Sequence, residues 1–197
     1  MADGSQTRTT ILLEAAKLFA SEGYSAVSMR DVANKVGVTP ANLYYHFADK
    51  ETLVRETLAH VFSKATIALE VTFSESWQPI ERIKVFIDRL TYLLFQDEVF
   101  ARLVLRELLD GDARRIAHLT QTVFERPFSQ LIEATSGERQ LDARLMAASI
   151  IALVLGHYQI AVSLPYLQGV EREGVDPTVV SQHVTALVER MFGSVPV

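Results

Sequence analysis

The stretch from Ser28 to Lys50 places the tightest limit on what this chain can fold into. A single residue, Val38, separates Gly37 from the pair Thr39–Pro40. Glycine accepts the left-handed conformation that closes a helix, threonine is a strong N-cap, and proline fits the first helical position. One helix must therefore end at Gly37 and the next must begin at Thr39. The earlier helix starts at Ser28, where Asp31 completes a capping box, and Val27 with Val32 makes a hydrophobic staple. Val38 and Leu43 repeat the staple. Two short helices joined this closely have helix-turn-helix spacing.

Apolar residues keep helical spacing through the rest of the chain, as in Ile11, Ala15, Leu18, Phe19 and again in Ile83, Ile87, Leu90, Leu94. Strand-like alternation is nearly absent, so the expected class is all-α. A first helix opens at Ser5 or Thr7 and stops at Gly23, letting Tyr24 fold back on Phe19. Asp49 caps a fourth helix that runs to the region of Ser74 to Pro79. Later helices are expected at about 79–95, 97–109, 113–135, 141–166 and 178–192, with Pro127 and Pro165 kinking or ending theirs. The plan is an N-terminal three-helix helix-turn-helix domain, residues 1–50, and a larger C-terminal helical bundle, residues 51–197.

Composition removes several classes of function. With no cysteine among 197 residues there is no disulfide framework, thiol nucleophile, zinc finger or iron–sulfur cluster, which agrees with a cytoplasmic location. The start lacks the apolar core of a secretory signal. Leu145 to Val170 carries no charge, yet Ser149, His157, Gln159, Ser163, Pro165 and Gln168 interrupt it. It reads as a buried helix of a soluble protein, with no membrane partner. Nucleotide-binding, nucleophile-elbow and metalloprotease motifs are missing, and the five histidines are scattered. No catalytic residue, metal site or cofactor is expected. Glu107 beside Arg106 reads as a helical charge pair, Arg114–Arg115 as a solvated patch, and His157 as a core or interface histidine.

The helix after Thr39 carries the functional signal. Leu43 and Phe47 point inward with Val32 and Val36, leaving Thr39, Pro40, Ala41, Asn42, Tyr44, Tyr45 and His46 outside. Asn42 suits an adenine edge and Ala41 a thymine methyl group. Tyr44, Tyr45 and His46 suit phosphates, as do Ser28, Thr39 and Lys50 near helix N-termini. The charge there is small: Arg30, Lys35 and Lys50 against Asp31 and Asp49 give a net of +1. Weak nonspecific affinity follows, with useful binding to double-stranded DNA only when two domains act together.

The segment SMRDVANKVGVTPANLYYHFADKETLV, with RTTILLEAAKLFASEGY before it, resembles the DNA-binding region of TetR-family transcriptional regulators over about residues 8–60. The resemblance puts Arg30, Thr39, Pro40, Ala41, Asn42, Tyr44, Tyr45, His46 and Lys50 where family members touch DNA. It also implies a homodimer on a palindromic operator, acting as a repressor that a small molecule releases.

Two further expectations concern the larger domain. Ala148, Ala152 and Gly156 make a smooth strip, and Val180, Val184, Leu187, Val188 and Met191 an apolar stripe, which together would pair the last two long helices across a two-fold axis. An interior with Phe86, Leu90, Leu103, Val104, Phe124, Phe128, Leu155 and Tyr158 would hold an apolar effector, oriented by Tyr158, His157 or Glu107. The alternatives are a helical small-molecule-binding or protein-interaction module without DNA binding, and an α-helical enzyme.

Overall fold

The computed structural model describes residues 4–70, 78–110, 112–136, 142–161, 163–166 and 175–193. Among the described residues every regular element is helical. The α-helices are α1 (Gly4–Glu22), α2 (Met29–Val36), α3 (Pro40–His46), α4 (Lys50–Glu70), α5 (Pro79–Gln96), α6 (Glu98–Asp110), α7 (Ala113–Leu119), α8 (Glu125–Thr135), α9 (Ala143–Ala161) and α10 (Pro177–Gly193). The part of the fourth helix expected beyond Glu70 lies outside the described residues.

The helix ends follow from local hydrogen bonding. The Ser28 hydroxyl accepts the Asp31 N–H at 3.2 Å while the Asp31 carboxylate accepts the Ser28 N–H at 2.8 Å, so two orphan donors are satisfied together. At the other end of α2, Gly37 has φ 78°, and its N–H and that of Val38 both reach the Ala33 carbonyl at 3.0 Å. Thr39 caps α3 by accepting the Asn42 N–H, and Asp49 caps α4 by accepting the Thr52 N–H at 2.7 Å. The staple residues Val27 and Val32 are buried, whereas Val36, expected in the core, is only half-buried.

Two long helices of the sequence reading are broken. The span expected at 113–135 divides into α7, a π-helical turn at Thr120–Phe124, and α8. Pro127 explains the position. Its ring lacks an N–H and presses on the carbonyl four residues back, and a widened turn just before it relieves both defects. The span expected at 141–166 becomes α9 and a separate 3₁₀ turn, Leu164–Tyr166, that contains Pro165.

Packing sorts the chain into two units that do not follow chain order. The first comprises residues 1–66 and 98–124, and the second 67–97 and 125–197. In the first, α1 packs on α2 and α6, and the Phe62 ring meets Phe100 at 5.6 Å and Phe124 at 5.5 Å. In the second, α5 is central and carries α8, α9 and α10. Its core includes Ile83, Ile87, Leu94, Ile150, Val154 and Val184. The division expected at residue 50 is one of sequence, whereas side-chain packing gives α6 and α7 to the first unit. By length and composition α9 could cross a membrane, and its burial is one-sided: Met146, Ile150 and Val154 are covered while Leu145, Ala152 and Ile160 are exposed. The reading of a buried helix holds for that one face.

The left-handed backbone of Gly37 supplies a test. A Cβ there would meet nothing within 4 Å, so Gly37→Ala isolates backbone strain from crowding. Urea unfolding should show a loss of roughly 1 to 2 kcal/mol with an unchanged m-value.

Candidate nucleic-acid interface

Leu43 and Phe47 fix the orientation of α3. Both are essentially fully buried, Leu43 within the seven-residue helix and Phe47 at its C-terminal cap. Arg8 on α1 stacks its guanidinium 5.0 Å from the Phe47 ring centre and pairs with Glu56 on α4, tying the flanking helices to this anchor. The opposite side is open. Thr39, Pro40, Ala41 and Asn42 are exposed, Tyr44 is 52% exposed and Tyr45 is 84% exposed. His46 is half-buried, with its ring edge-on to Tyr45 at 5.2 Å. Arg30 is exposed beside them in sequence and Lys50 is partly so.

The hydroxyl groups among these residues differ in what they have left to give. Ser28 donates its O–H to Asp31 at 2.6 Å, so this group is already committed within the capping box. Its backbone N–H is bound to the same carboxylate, so its expected phosphate contact requires one of these bonds to break. Thr39 uses its oxygen only as an acceptor, which leaves its own O–H available. The caps also fix charge. Bonds from the Ser28 side chain and backbone hold the Asp31 carboxyl below its ordinary value of 3.8, and the Thr52 N–H and hydroxyl do the same for Asp49.

A second cluster steadies the turn that feeds α2, and sequence reasoning missed it. Arg106 on α6 does not pair with Glu107. It donates instead to the carbonyls of Ala20 (3.4 Å) and Ser21 (3.3 Å), closing the C-terminus of α1 beside Gly23, whose φ is 87°. Glu107 is 5% exposed, and its Oε2 accepts the Arg115 Nε–H at 3.1 Å. Arg115, read from sequence as part of a solvated patch, is thus partly buried, and its guanidinium lies 5.0 Å from the centre of the Tyr24 ring. Burial, reinforced by the Glu107 carboxylate, pushes the Tyr24 phenol up. Tyr24 does pack edge-on against Phe19 at 5.5 Å, as expected.

An exposed polar and aromatic face on a helix held by Leu43 and Phe47 is the geometry of a recognition helix. The family model described as "Bacterial regulatory proteins, tetR family" matches residues 11–57, which contain all of this site from Ser28 to Lys50. Residues 11–57 are thus similar to the DNA-binding region of tetR-family regulators. It is 44% identical over 54 residues to the HTH-type transcriptional repressor KstR2 of Rhodococcus jostii, a match covering 27% of this chain and 26% of that one. The chain thus spans about a quarter of the length of that relative. An HTH-type transcriptional repressor of Mycobacterium tuberculosis is 29% identical over 168 residues, or 84% of this chain and 79% of its own length. The crystal structure of a tetR-family regulatory protein from Rhodococcus RHA1 superposes with a TM-score of 0.74 at 17% identity, over 94% of this chain and 96% of the other, which establishes the shared fold.

Outside residues 11–57 the remaining expected residues are placed less simply. Leu103, Val104, Glu107 and Phe124 belong to the first unit, and Phe86, Leu90, Phe128, Leu155 and Tyr158 to the second. Phe86, Leu90 and Leu103 are buried core residues, and Tyr158 stacks edge-on with Phe95 at 5.2 Å. The stripe on α10 divides as well. Val180, Val184 and Val188 are buried within their own unit, where α10 packs on α5, so they cannot also face a partner. Ala148, Ala152 and Met191 are exposed, and Gly156 and Leu187 are half-buried. Ala152 and Gly156 line an open apolar groove of about 580 Å³ along α9 with Leu153, His157, Ile160 and Leu164. His157 has its Nδ1 2.7 Å from the Leu153 carbonyl and its ring 5.3 Å from His183.

The held-down carboxyls of Asp31 and Asp49 set a pH dependence. A folded-state value below the unfolded one gives stabilisation that is complete above the unfolded value and is lost as pH falls through the folded one. The difference in melting temperature between wild type and Asp31→Ala/Asp49→Ala should be constant from pH 7 to about 5 and shrink below about 4.

Proposed function

We propose that this protein is a ligand-responsive, DNA-binding transcriptional repressor that works in the cytoplasm as a homodimer and is released from a palindromic operator by an apolar small molecule. One observation carries the DNA-binding part: Tyr45 stands almost fully exposed between residues that anchor α3, on a face whose other members are Thr39, Ala41, Asn42 and Tyr44. An exposed aromatic pair costs solubility unless something covers it, and base edges and phosphates suit this set. Arg30, His46 and Lys50 flank it as phosphate contacts, with Pro40 setting the start of the helix and Ser28 the start of the one before. Relatives named as repressors favour repression over activation. On this reading, the work done is binding, with no catalytic step.

Two copies are needed because the local charge is close to neutral, and two half-sites one helical turn apart multiply their affinities. The exposed strip of Ala148 and Ala152 with Gly156, Leu187 and Met191 supports pairing through α9 and α10. In the second unit Phe86, Leu90, Phe128, Leu155 and Tyr158 are candidate effector contacts, whereas Leu103, Glu107 and Phe124, expected with them, belong to the first unit. Helix α4 begins directly after α3 and the short Phe47–Asp49 connection and continues into the second unit, so it is the natural carrier of the signal. Effector binding would favour a conformation in which the two recognition helices no longer match successive major grooves.

Footprinting on DNA flanking the gene should give a two-fold symmetric protected site with half-sites about 10 base pairs apart or a multiple of it. Asn42→Ala/Tyr45→Ala should lower affinity for that site by at least tenfold, about 1 to 3 kcal/mol for each lost base contact, while melting temperature stays within a degree or two. Wild-type affinity in the double variant would exclude this face as the reader. For the dimer, Ala152→Arg is the probe, since its side chain enters the open groove and spares its own core. Sedimentation should then show a monomer with unchanged helical content.

A further inference from the structure

The first unit holds a cavity of about 260 Å³ between α4 and α7 that neither the DNA-binding face nor the apolar effector residues use. Its polar wall is Glu51 and Arg55 from α4 with Arg114, Arg115 and His118 from α7, and its floor is Leu58 and Leu119. Carboxylates of Glu107, Asp110 and Asp112 pair with Arg115, so the two remaining guanidiniums, Arg55 and Arg114, are the ones open to an anion.

The three arginines are not equivalent. Arg115 is a fixed wall: its Nε donates to buried Glu107, and its Nη1 lies 3.4 Å from Asp112 Oδ2. Its charge is thereby answered within the protein. The guanidiniums of Arg55 and Arg114 form no ion pair or hydrogen bond among the described residues. Both residues are exposed enough to meet a solute yet line the same recess. Glu51, four residues before Arg55 on α4, is the one acidic residue of the lining, while Asp49 and Asp112 feel Arg55 and Arg114 from outside it without forming an ion pair with either. Guanidinium forks match phosphate and carboxylate geometry in paired hydrogen bonds. The volume lies below the roughly 300 to 1,000 Å³ of pockets for drug-sized ligands, so it suits a small head group.

We propose that this cavity binds the oxyanion head of a small molecule, a phosphate or a carboxylate, through Arg55 and Arg114, with Arg115 as its rigid edge. The site adjoins one expected effector residue, Glu107, through Arg115, and does not depend on DNA binding.

Calorimetric titration of the full chain without DNA tests it, using inorganic phosphate and succinate as probes at fixed ionic strength with chloride as control. At least one probe should bind saturably at millimolar concentration or tighter, and Arg55→Gln/Arg114→Gln should weaken it tenfold or more while circular dichroism stays unchanged. Absence of saturable heat with both probes in the wild type, or equal affinity in the variant, would overturn the proposal. The salt dependence of duplex binding separates a free anion from backbone phosphate of DNA. An unchanged slope in the variant supports the small molecule. A slope shallower by about 1.8, two phosphate contacts at about 0.9 each, would assign both arginines to the duplex and overturn the proposal as well.

Discussion

Burial of Leu43 and Phe47 is the constraint on which the rest of the DNA-binding region depends. A helix of seven residues has no independent stability, because nucleation is costly and too few hydrogen bonds follow to repay it. What keeps α3 folded is therefore the attachment of two large side chains to a core that α1, α2 and α4 complete, and the caps at Thr39 and Phe47 only define its ends. Once those two positions are fixed, the rotation of the helix is fixed as well. Thr39, Ala41, Asn42, Tyr44 and Tyr45 must then face away from the core. Orientation of the recognition surface is thus a consequence of packing on the other side.

This explains which parts were legible in the sequence. Capping boxes, closing glycines and staples are interactions over three to five residues, so Ser28–Asp31, Gly37 and Thr39–Pro40 announce their roles locally. Pro127 is a middle case. Its defect was readable, but whether a helix answers by kinking, ending or widening depends on surroundings, and here it widens into a π turn. Contacts between residues far apart left no sequence trace. Arg106 reaches Ala20 and Ser21 across about 85 positions, and Glu107 finds Arg115 rather than its neighbour. Adjacent helical residues diverge by about 100°, so Arg106 and Glu107 were never well placed to pair. The α10 stripe shows a different limit: periodicity reveals that Val180, Val184 and Val188 are buried without revealing by what, and the answer is α5.

Caps and charge pull against each other at the interface. Asp31 and Asp49 are good cap residues because they are ionised and accept backbone N–H groups, and the same bonds keep them ionised at neutral pH. The side chains that shape the helix-turn-helix therefore also cancel two of the positive charges that Arg30, Lys35 and Lys50 provide. Specific hydrogen bonding and shape must supply what bulk attraction does not. An interface of this kind discriminates among sequences better than it holds DNA in general, since the phosphate term that is blind to sequence is small.

The near-neutral interface and the exposed face of α9 are linked through the proposed dimer. If one domain binds its half-site at about 10⁻⁵ M, typical of weak nonspecific contacts, it would be mostly free at cellular concentrations. Joining two such domains rigidly makes the second contact intramolecular at an effective concentration of about a millimolar, which brings the pair to about 10⁻⁷ M without any new DNA contact. The gain requires that the spacing between recognition helices be held, and a smooth strip such as Ala148, Ala152 and Gly156 lets helices approach closely enough to hold it. It also makes the pair sensitive to small motions: misplacing one helix by a few ångströms removes the whole multiplicative factor. A weak half-site is for that reason the better design for a repressor that must let go, because a ligand need only spoil the geometry and need not compete with any individual contact.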